Sequence, residues 1–205
     1  MLGVVTKARP SIHIVPANEA DFEDLQTIFG ARGQGSRCQC QRYKLQPRES
    51  FTSFPVEERA HRLRVQTYCG HPESETTSGL VAYSDREPAG WCAVEPRPEY
   101  VGLVRNSRVP WAGRSEDKAD SHVWALTCLF TRAGFRRQGV SRALALAAVD
   151  FARGRGARAV EGYPMTTTEV IEEELHVGTF GTFAAAGFTA VSRPTLRRAV
   201  MRIDF

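Results

Sequence analysis

The chain has 205 residues, 27 Lys and Arg against 23 Asp and Glu for a formal net charge of +4, and 42% hydrophobic residues. A chain of that size buries a core without disulfide help, and its composition excludes a largely disordered protein. No run approaches the roughly 20 apolar residues of a membrane span, and so small a net charge does not announce a nucleic-acid-binding protein. The N-terminal stretch MLGVVTKARPSIHIVP places its charges after its short apolar patch, the reverse of a secretory signal, so a cytoplasmic location is expected. The five cysteines are odd in number and lack framework spacing, which fits a reducing compartment. All but three of the basic residues are arginine, the side chain suited to bidentate contacts with phosphate or carboxylate.

In chain order, residues 12–15 read as a short strand ended by Pro16. Asn18 is placed to cap a helix running to Phe29, where Gly30 stops it. Residues 31–53 are polar and irregular and hold Cys38-Gln39-Cys40-Gln41-Arg42-Tyr43. A helix is expected over 55–69, with Val56, Ala60, Leu63 and Thr67 on one face and Gly70 beyond its end. Residues 79–84 and 90–95 read as a hairpin about the turn Asp85-Arg86-Glu87-Pro88. The connection 96–120, rich in Pro, Gly, Ser and charge, is long enough to serve as a lid or a substrate wall.

The segment 123–130 (VWALTCLF) is apolar without alternation, as in a central strand covered on both faces. Val140, Ala143, Leu144, Ala147, Ala148, Phe151 and Ala152 then share one face of a largely buried helix closed by Gly154 and Gly156. Residues 157–163 form the next strand, and this strand–helix–strand order implies a parallel pair with a right-handed crossover. A last helix over 172–186 stops at Gly187, and strands at 188–192 and 199–203 close the chain. No composition break divides it, so residues 1–205 are expected to form a single domain.

The join between Phe130 and Ala143 carries the functional signal. A buried strand ends, a turn with Arg136, Arg137, Gln138 and Gly139 follows, and a helix begins. A helix N-terminus presents unpaired N–H groups and a positive dipole end, which together attract anions. Gly139 lets the backbone approach a phosphate, Ser141 is too small to obstruct it, and the two arginines add charge. The nucleotide-triphosphate loop pattern is absent, and of the three glycines of a dinucleotide loop only Gly139 is in place. The plainer alternative is a solvated basic turn capping a core helix.

The segment Arg136-Arg137-Gln138-Gly139-Val140-Ser141 resembles the coenzyme A signature of the GNAT N-acetyltransferase superfamily, with Ser141 where Gly or Ala is usual. FGTFAAAGF, residues 180–188, is similar to the family's final helix, which ends in Gly-Phe. The resemblance implies an α/β fold: a mixed, strongly twisted sheet of six or seven strands flanked by about four helices. It implies that the fourth strand (122–131) and the fifth (157–163) splay apart and that acetyl-CoA, the only cofactor expected, sits in the V between them. Backbone near Leu129, Phe130 and Thr131 would pair with the pantetheine arm, and amides from Arg137 to Ser141, Val140 included, with the diphosphate. A strand N–H near Cys128 or Leu129 would polarise the thioester carbonyl for direct attack by a bound amine.

Where the family often has a thiolate-protonating tyrosine this chain has Phe183, expected to be a wall for the coenzyme; His176 and Thr179 would reach the pantetheine or sulfur. Glu161 is the candidate base, against the alternative of an ion pair with an arginine, and Tyr163 is a second polar candidate. Without a base, low-pKa amines would be favoured. The partners expected are a small-molecule or peptide amine, and a second copy of the chain, since many proteins of this fold pair as dimers; no nucleic acid, membrane or metal is expected. A GNAT-fold module that binds acyl-CoA without turnover is the rival reading.

Two further features have plainer alternatives. Cys38-x-Cys40 with Cys69-x-His71 suggests a zinc site, but the spacers are shorter than usual and reduced thiols are expected. Arg153, Arg155, Arg158, Arg197, Arg198 and Arg202 are scattered over three elements without a stacking platform and read as a solvated face. Trp124 is expected in the core, whereas Trp91 and Trp111 are placed either in packing or in the acceptor pocket.

Overall fold

The computed structural model describes residues 10–205 apart from Thr52, so the reading of the N-terminal stretch before Pro10 lies outside it. The strands are β1 (Ile12–Pro16), β2 (Gly79–Ser84), β3 (Glu87–Pro96), β4 (Val123–Thr131), β5 (Ala159–Gly162), β6 (Thr189–Thr195) and β7 (Arg198–Asp204). They form one seven-stranded sheet in the order β1-β2-β3-β4-β5-β7-β6, with β4 and β5 parallel and every other pair antiparallel. The expected mixed sheet, its hairpin and its parallel pair are all present. The α-helices are α1 (Phe22–Phe29), α2 (Gln34–Cys38), α3 (Val56–Thr67), α4 (Val140–Gly154) and α5 (Phe180–Ala185).

Two apolar cores lie on the two faces of the sheet. Leu144, Ala148 and Ala152 of α4 pack against Cys92, Val94, Leu126 and Leu129. Leu25, Ile28 and Phe29 of α1 pack with Leu63 of α3 against Trp91, Ala93, Ala125 and Cys128. This explains why Val123 to Leu129 is uniformly buried: both faces are covered. The alternation along β4 shifts at one point. Ala93 pairs with Cys128 and Val94 with Leu126, so Thr127 is an extra residue, a β-bulge. The bulge puts Leu126 and Leu129 on the same face and turns Cys128 toward α1.

Three local expectations are corrected. Asn18 does not cap α1; it is buried in a short 3-10 turn, where Nδ2 donates to the carbonyls of His71 (3.3 Å) and Ser74 (3.1 Å) and so ties the chain before α1 to the segment after α3. The expected last helix is two pieces, a 3-10 segment Glu172–Val177 and α5, separated at Gly178 with φ +81°. Thr179 restarts the helix, its hydroxyl accepting the Thr182 amide at 3.3 Å. The connection 96–120 is pinned by Arg97, which is fully buried and donates to the Lys118 carbonyl (3.1 Å) and to Glu116 (3.0 Å). Among the described residues, no helix is long and apolar enough to cross a membrane.

Candidate functional site

The parallel pairing of β4 with β5 runs from Val123↔Ala159 to Leu126↔Gly162 and ends there, while β4 continues to Thr131. Beyond Leu126 that edge of β4 has no neighbouring strand, and a cleft of about 1010 Å³ opens along it. One wall is Cys128, Leu129, Phe130 and Thr131 of β4; the opposite wall is the α1–α2 turn with Cys40, Arg42 and Tyr43. The floor of the α2 side is close-fitting: a Cβ on Gly35 would lie 2.8 Å from the Phe130 ring.

At one end of the cleft stand Arg136, Arg137 and Ser141. Gly139 is the N-cap of α4 at φ +90°, a conformation that disfavours any residue with a side chain, and no side chain caps the helix. The first-turn amides therefore keep their positive potential for an external anion. The turn itself is braced: Gln138 donates from Nε2 to the Gly134 carbonyl at 2.9 Å, and the Thr131 and Ser141 hydroxyls meet at 2.9 Å, tying β4 to the first turn of α4. Among the described residues no Asp or Glu lines the cleft, against five arginines, of which Arg132 reaches Glu87 at 3.6 Å. An uncapped helix start, two arginines and a long cleft without acid fit the diphosphate and pantetheine of acetyl-CoA.

Gln138 and Gly139 are exposed, the Val140 side chain is buried under the helix, and none of the three is among the lining residues, so what they present beside Arg137 and Ser141 is backbone. His176 lines the cleft opposite β4, 6.2 Å from the Tyr43 ring. Its Nδ1 lies 2.6 Å from the Glu173 carbonyl and so carries the proton, leaving Nε2 an acceptor that is buried and without a partner among the described residues. Burial, together with the Arg42 and Arg198 charges and against the pull of the Glu173 carbonyl, lowers its pKa to about 4. The imidazole is neutral at physiological pH.

Glu161 is not in the cleft. It is fully buried and not among the lining residues, accepting from Arg97 (3.2 Å), Arg202 (3.0 Å), Arg114 and the Tyr163 hydroxyl (3.1 Å). Its expected role as base is replaced by the ion-pair alternative. Four donors hold the carboxylate, and a fully satisfied buried charge is poorly placed to collect a proton from a substrate. Tyr163 is spent on the same network; it lines a second, smaller pocket of about 200 Å³ together with Ser107 to Pro110. The connection 96–120 therefore borders that pocket and not the cleft.

Phe183 is likewise core and not a wall of the cleft. Its ring lies against the backbone of Gly162, where a Cβ would approach to 1.9 Å, and meets Phe188 edge-on at 4.9 Å. Thr179 is occupied as a helix cap and does not line the cleft. Trp91 is fully buried, its indole N–H 3.2 Å from Cys40 Sγ, while Trp111 donates to the Leu103 carbonyl at 2.9 Å among Arg97, Arg114 and Lys118. Trp124 packs edge-on to Phe151 in the core, as expected. Among the described residues, no group of three or more His, Cys, Asp or Glu is placed to hold a metal.

Sequence reasoning passed over the far wall of the cleft. Gly30, Gly33 and Gly35 with Arg32 and Arg42 bound it, and the one signal in the sequence was the local density of glycine and arginine.

Similarity to known proteins agrees with this geometry. Residues 42–166 match the model of the acetyltransferase (GNAT) family. No curated protein matches the sequence. Among solved structures, an N-acetyltransferase from Staphylococcus aureus superposes with a TM-score of 0.55 at 12% identity, covering 95% of this chain and 98% of that one. The ribosomal-protein-alanine N-acetyltransferase of Brucella melitensis gives 0.52 at 14% identity over 95% and 99% of the two chains. The PaiA N-acetyltransferase of Thermoplasma acidophilum, solved with coenzyme A, gives 0.50 at 15% over 95% and 99%. At such identities the likeness shows the fold, and the match over residues 42–166 assigns the rest: this chain belongs to the GNAT acetyltransferase family.

Proposed function

We propose that the protein transfers an acetyl group from acetyl-CoA to a primary amine by direct attack within a ternary complex. The observation that carries this reading is the uncapped start of α4 at one end of a cleft that opens along β4 beyond its pairing with β5. Bound acetyl-CoA supplies an acyl group already activated as a thioester. Amides from Arg137 to Ser141 and the Arg136 and Arg137 side chains hold the diphosphate; the β4 edge at Leu129 to Thr131 holds the extended arm. A strand N–H at Cys128 or Leu129 polarises the carbonyl. Nε2 of His176 accepts a hydrogen bond from the arm, which supplies the partner that this buried atom lacks.

The cleft's composition also bears on the acceptor. With Glu161 held elsewhere, no carboxylate among the described residues lines the cleft to take up the amine's proton. Freeing a lysine-like amine of pKa about 10.4 at pH 7 costs about 4.6 kcal/mol, against about 1 kcal/mol for an α-amine near 7.8. The site therefore favours low-pKa amines, such as α-amines or amino sugars. Coenzyme A and acetyl-CoA are each titrated by calorimetry, and thiol release is followed over a graded amine panel. Binding with turnover that favours the less basic amines is the expected result. Binding without thiol release from any amine makes the protein an acyl-CoA sensor, and no heat with either ligand removes the reading altogether.

A further inference from the structure

We propose that Cys40 is a thiol–disulfide exchange site within the cleft, modified by the disulfide of a small thiol. The pair Cys38-x-Cys40 was singled out in the sequence, and neither metal binding nor acetyl transfer accounts for its placement. Gln39 and Cys40 both adopt left-handed backbone, φ +47° and +55°. That backbone is strained for residues with a side chain, so the surroundings hold the turn in place. Gln39 and Gln26 exchange side-chain hydrogen bonds at 3.0 and 3.2 Å, and Gln41 donates to Gln66 at 2.8 Å. The braced turn delivers Cys40 Sγ to the cleft wall, 3.2 Å from the Trp91 indole N–H and beside the Cys128 thiol, which also lines the cleft.

Trp91 donates to the Cys40 sulfur, and the Cys128 thiol is its sulfur neighbour. The Cys128 hydrogen bond is the largest influence and, with the Trp91 donor and the Lys44 charge, holds Cys40 below the ordinary thiol range against burial and the Glu95 charge. The same hydrogen bond keeps the proton on Cys128, whose thiol lies well above that range. Burial raises Cys38, Cys69 and Cys92. Only a few per cent of an ordinary thiol is thiolate at neutral pH, so the cleft-lining sulfur that accepts the Trp91 N–H is the nucleophile of the group. The exchange balances. Cys40 releases its proton to solvent, its sulfur attacks RS–SR, the Cys40–S–S–R bond forms as the reagent's S–S bond breaks, and the departing thiolate takes up a proton as RSH. A thiol on this wall would be capped exactly where the acyl group is expected; that consequence rests on the acetyl-transfer reading, whereas the exchange does not.

The test incubates the reduced protein with oxidised glutathione or oxidised coenzyme A and maps the adduct by peptide mass. One adduct on Cys40, reversed by dithiothreitol and absent in Cys40→Ser, is the expected result. Trp91→Phe removes the indole donor and Cys128→Ala the neighbouring thiol, and each should slow labelling several-fold; Cys128→Ala serves if the tryptophan variant does not fold. A Cys40–Cys128 disulfide supports the proposal when Cys128→Ala stops at the Cys40 adduct, and overturns it when Cys40→Ser stops at a Cys128 adduct. Labelling at Cys38, or labelling unchanged in Cys40→Ser, overturns it. The two reagents separate the readings: faster labelling by the coenzyme disulfide, slowed by added coenzyme A, supports both, while equal rates count against the cleft's coenzyme reading and leave Cys40 assigned.

Discussion

Two regions of this protein are rich in arginine, and they put the charge to opposite uses. Around Glu161, the guanidinium groups of Arg97, Arg114 and Arg202 converge on two carboxylates, Glu161 and Glu116, with Arg97 and Glu161 fully buried. Burial pushes Glu116 upward, but the hydrogen bonds from Arg114 and Arg97 outweigh it and hold the carboxyl below its usual range. At the start of α4, Arg136 and Arg137 are exposed at a cleft with no acid in its lining. Charge neutralised inside the protein is scaffold, because each group's hydrogen bonds are already made. Charge that stays exposed beside helix amides no side chain caps, as at Arg137, remains open to an anion from solution. Glu161 and Arg137 could not be sorted this way from residue type alone.

The largest effect expected of any single change tests the scaffold half. Glu161→Ala leaves Arg97 buried with a single acidic partner and should cost about 3–5 kcal/mol of unfolding free energy in urea titration. Coenzyme A affinity of the folded fraction should be unchanged; a protein of normal stability that no longer binds coenzyme would break the contrast.

His176 shows what burial does to a basic group with no acid beside it. Its folded pKa of about 4 lies below the ordinary 6.5, so between those values the unfolded chain binds a proton and the native one does not. The resulting stability is fully present above about pH 6.5 and is lost as pH falls through about 4, a difference of about 3 kcal/mol. Unfolding free energies at pH 7 and pH 4 should show this loss in the native sequence and less of it in His176→Asn. Identical slopes would mean that His176 is protonated in the fold.

The smallest expected effect sharpens the other half. A Cβ on Gly139 would meet no atom within 4 Å, so Gly139→Val carries only the strain of φ +90°, on the order of 1–2 kcal/mol. Calorimetry should nevertheless give coenzyme A affinity at least tenfold weaker, about 1.4 kcal/mol, because the turn must shift away from its anion-binding shape. Unchanged affinity would place the diphosphate elsewhere.

Much of the fold was legible because its signals are local. The apolar face of α4, the unbroken apolar run of β4 and the hairpin turn of β2 and β3 all appear in consecutive residues. The anion corner was legible for the same reason, since the strand end, Arg136, Arg137, Gly139 and the helix start lie within a dozen positions or so. The break in the last helix was not: Glu172 to Ala186 has helical composition, and only the packing of Phe183 on Gly162 and Gly178 shows why the chain must turn at Gly178.

What the sequence determined by itself was the order of most elements and the uncapped, arginine-flanked start of α4, because helix periodicity and helix-end chemistry are written in neighbouring residues. Tertiary structure alone decided which polar groups face the cleft. One bulged residue, Thr127, sets the face that Cys128 occupies, and the pairing of β5 with β4 and β7 sends Glu161 toward Arg97, 64 positions away, and Arg202, 41 away. A side chain's role depends on what it meets across the fold, and those meetings are fixed by strand register and packing between segments far apart in the chain.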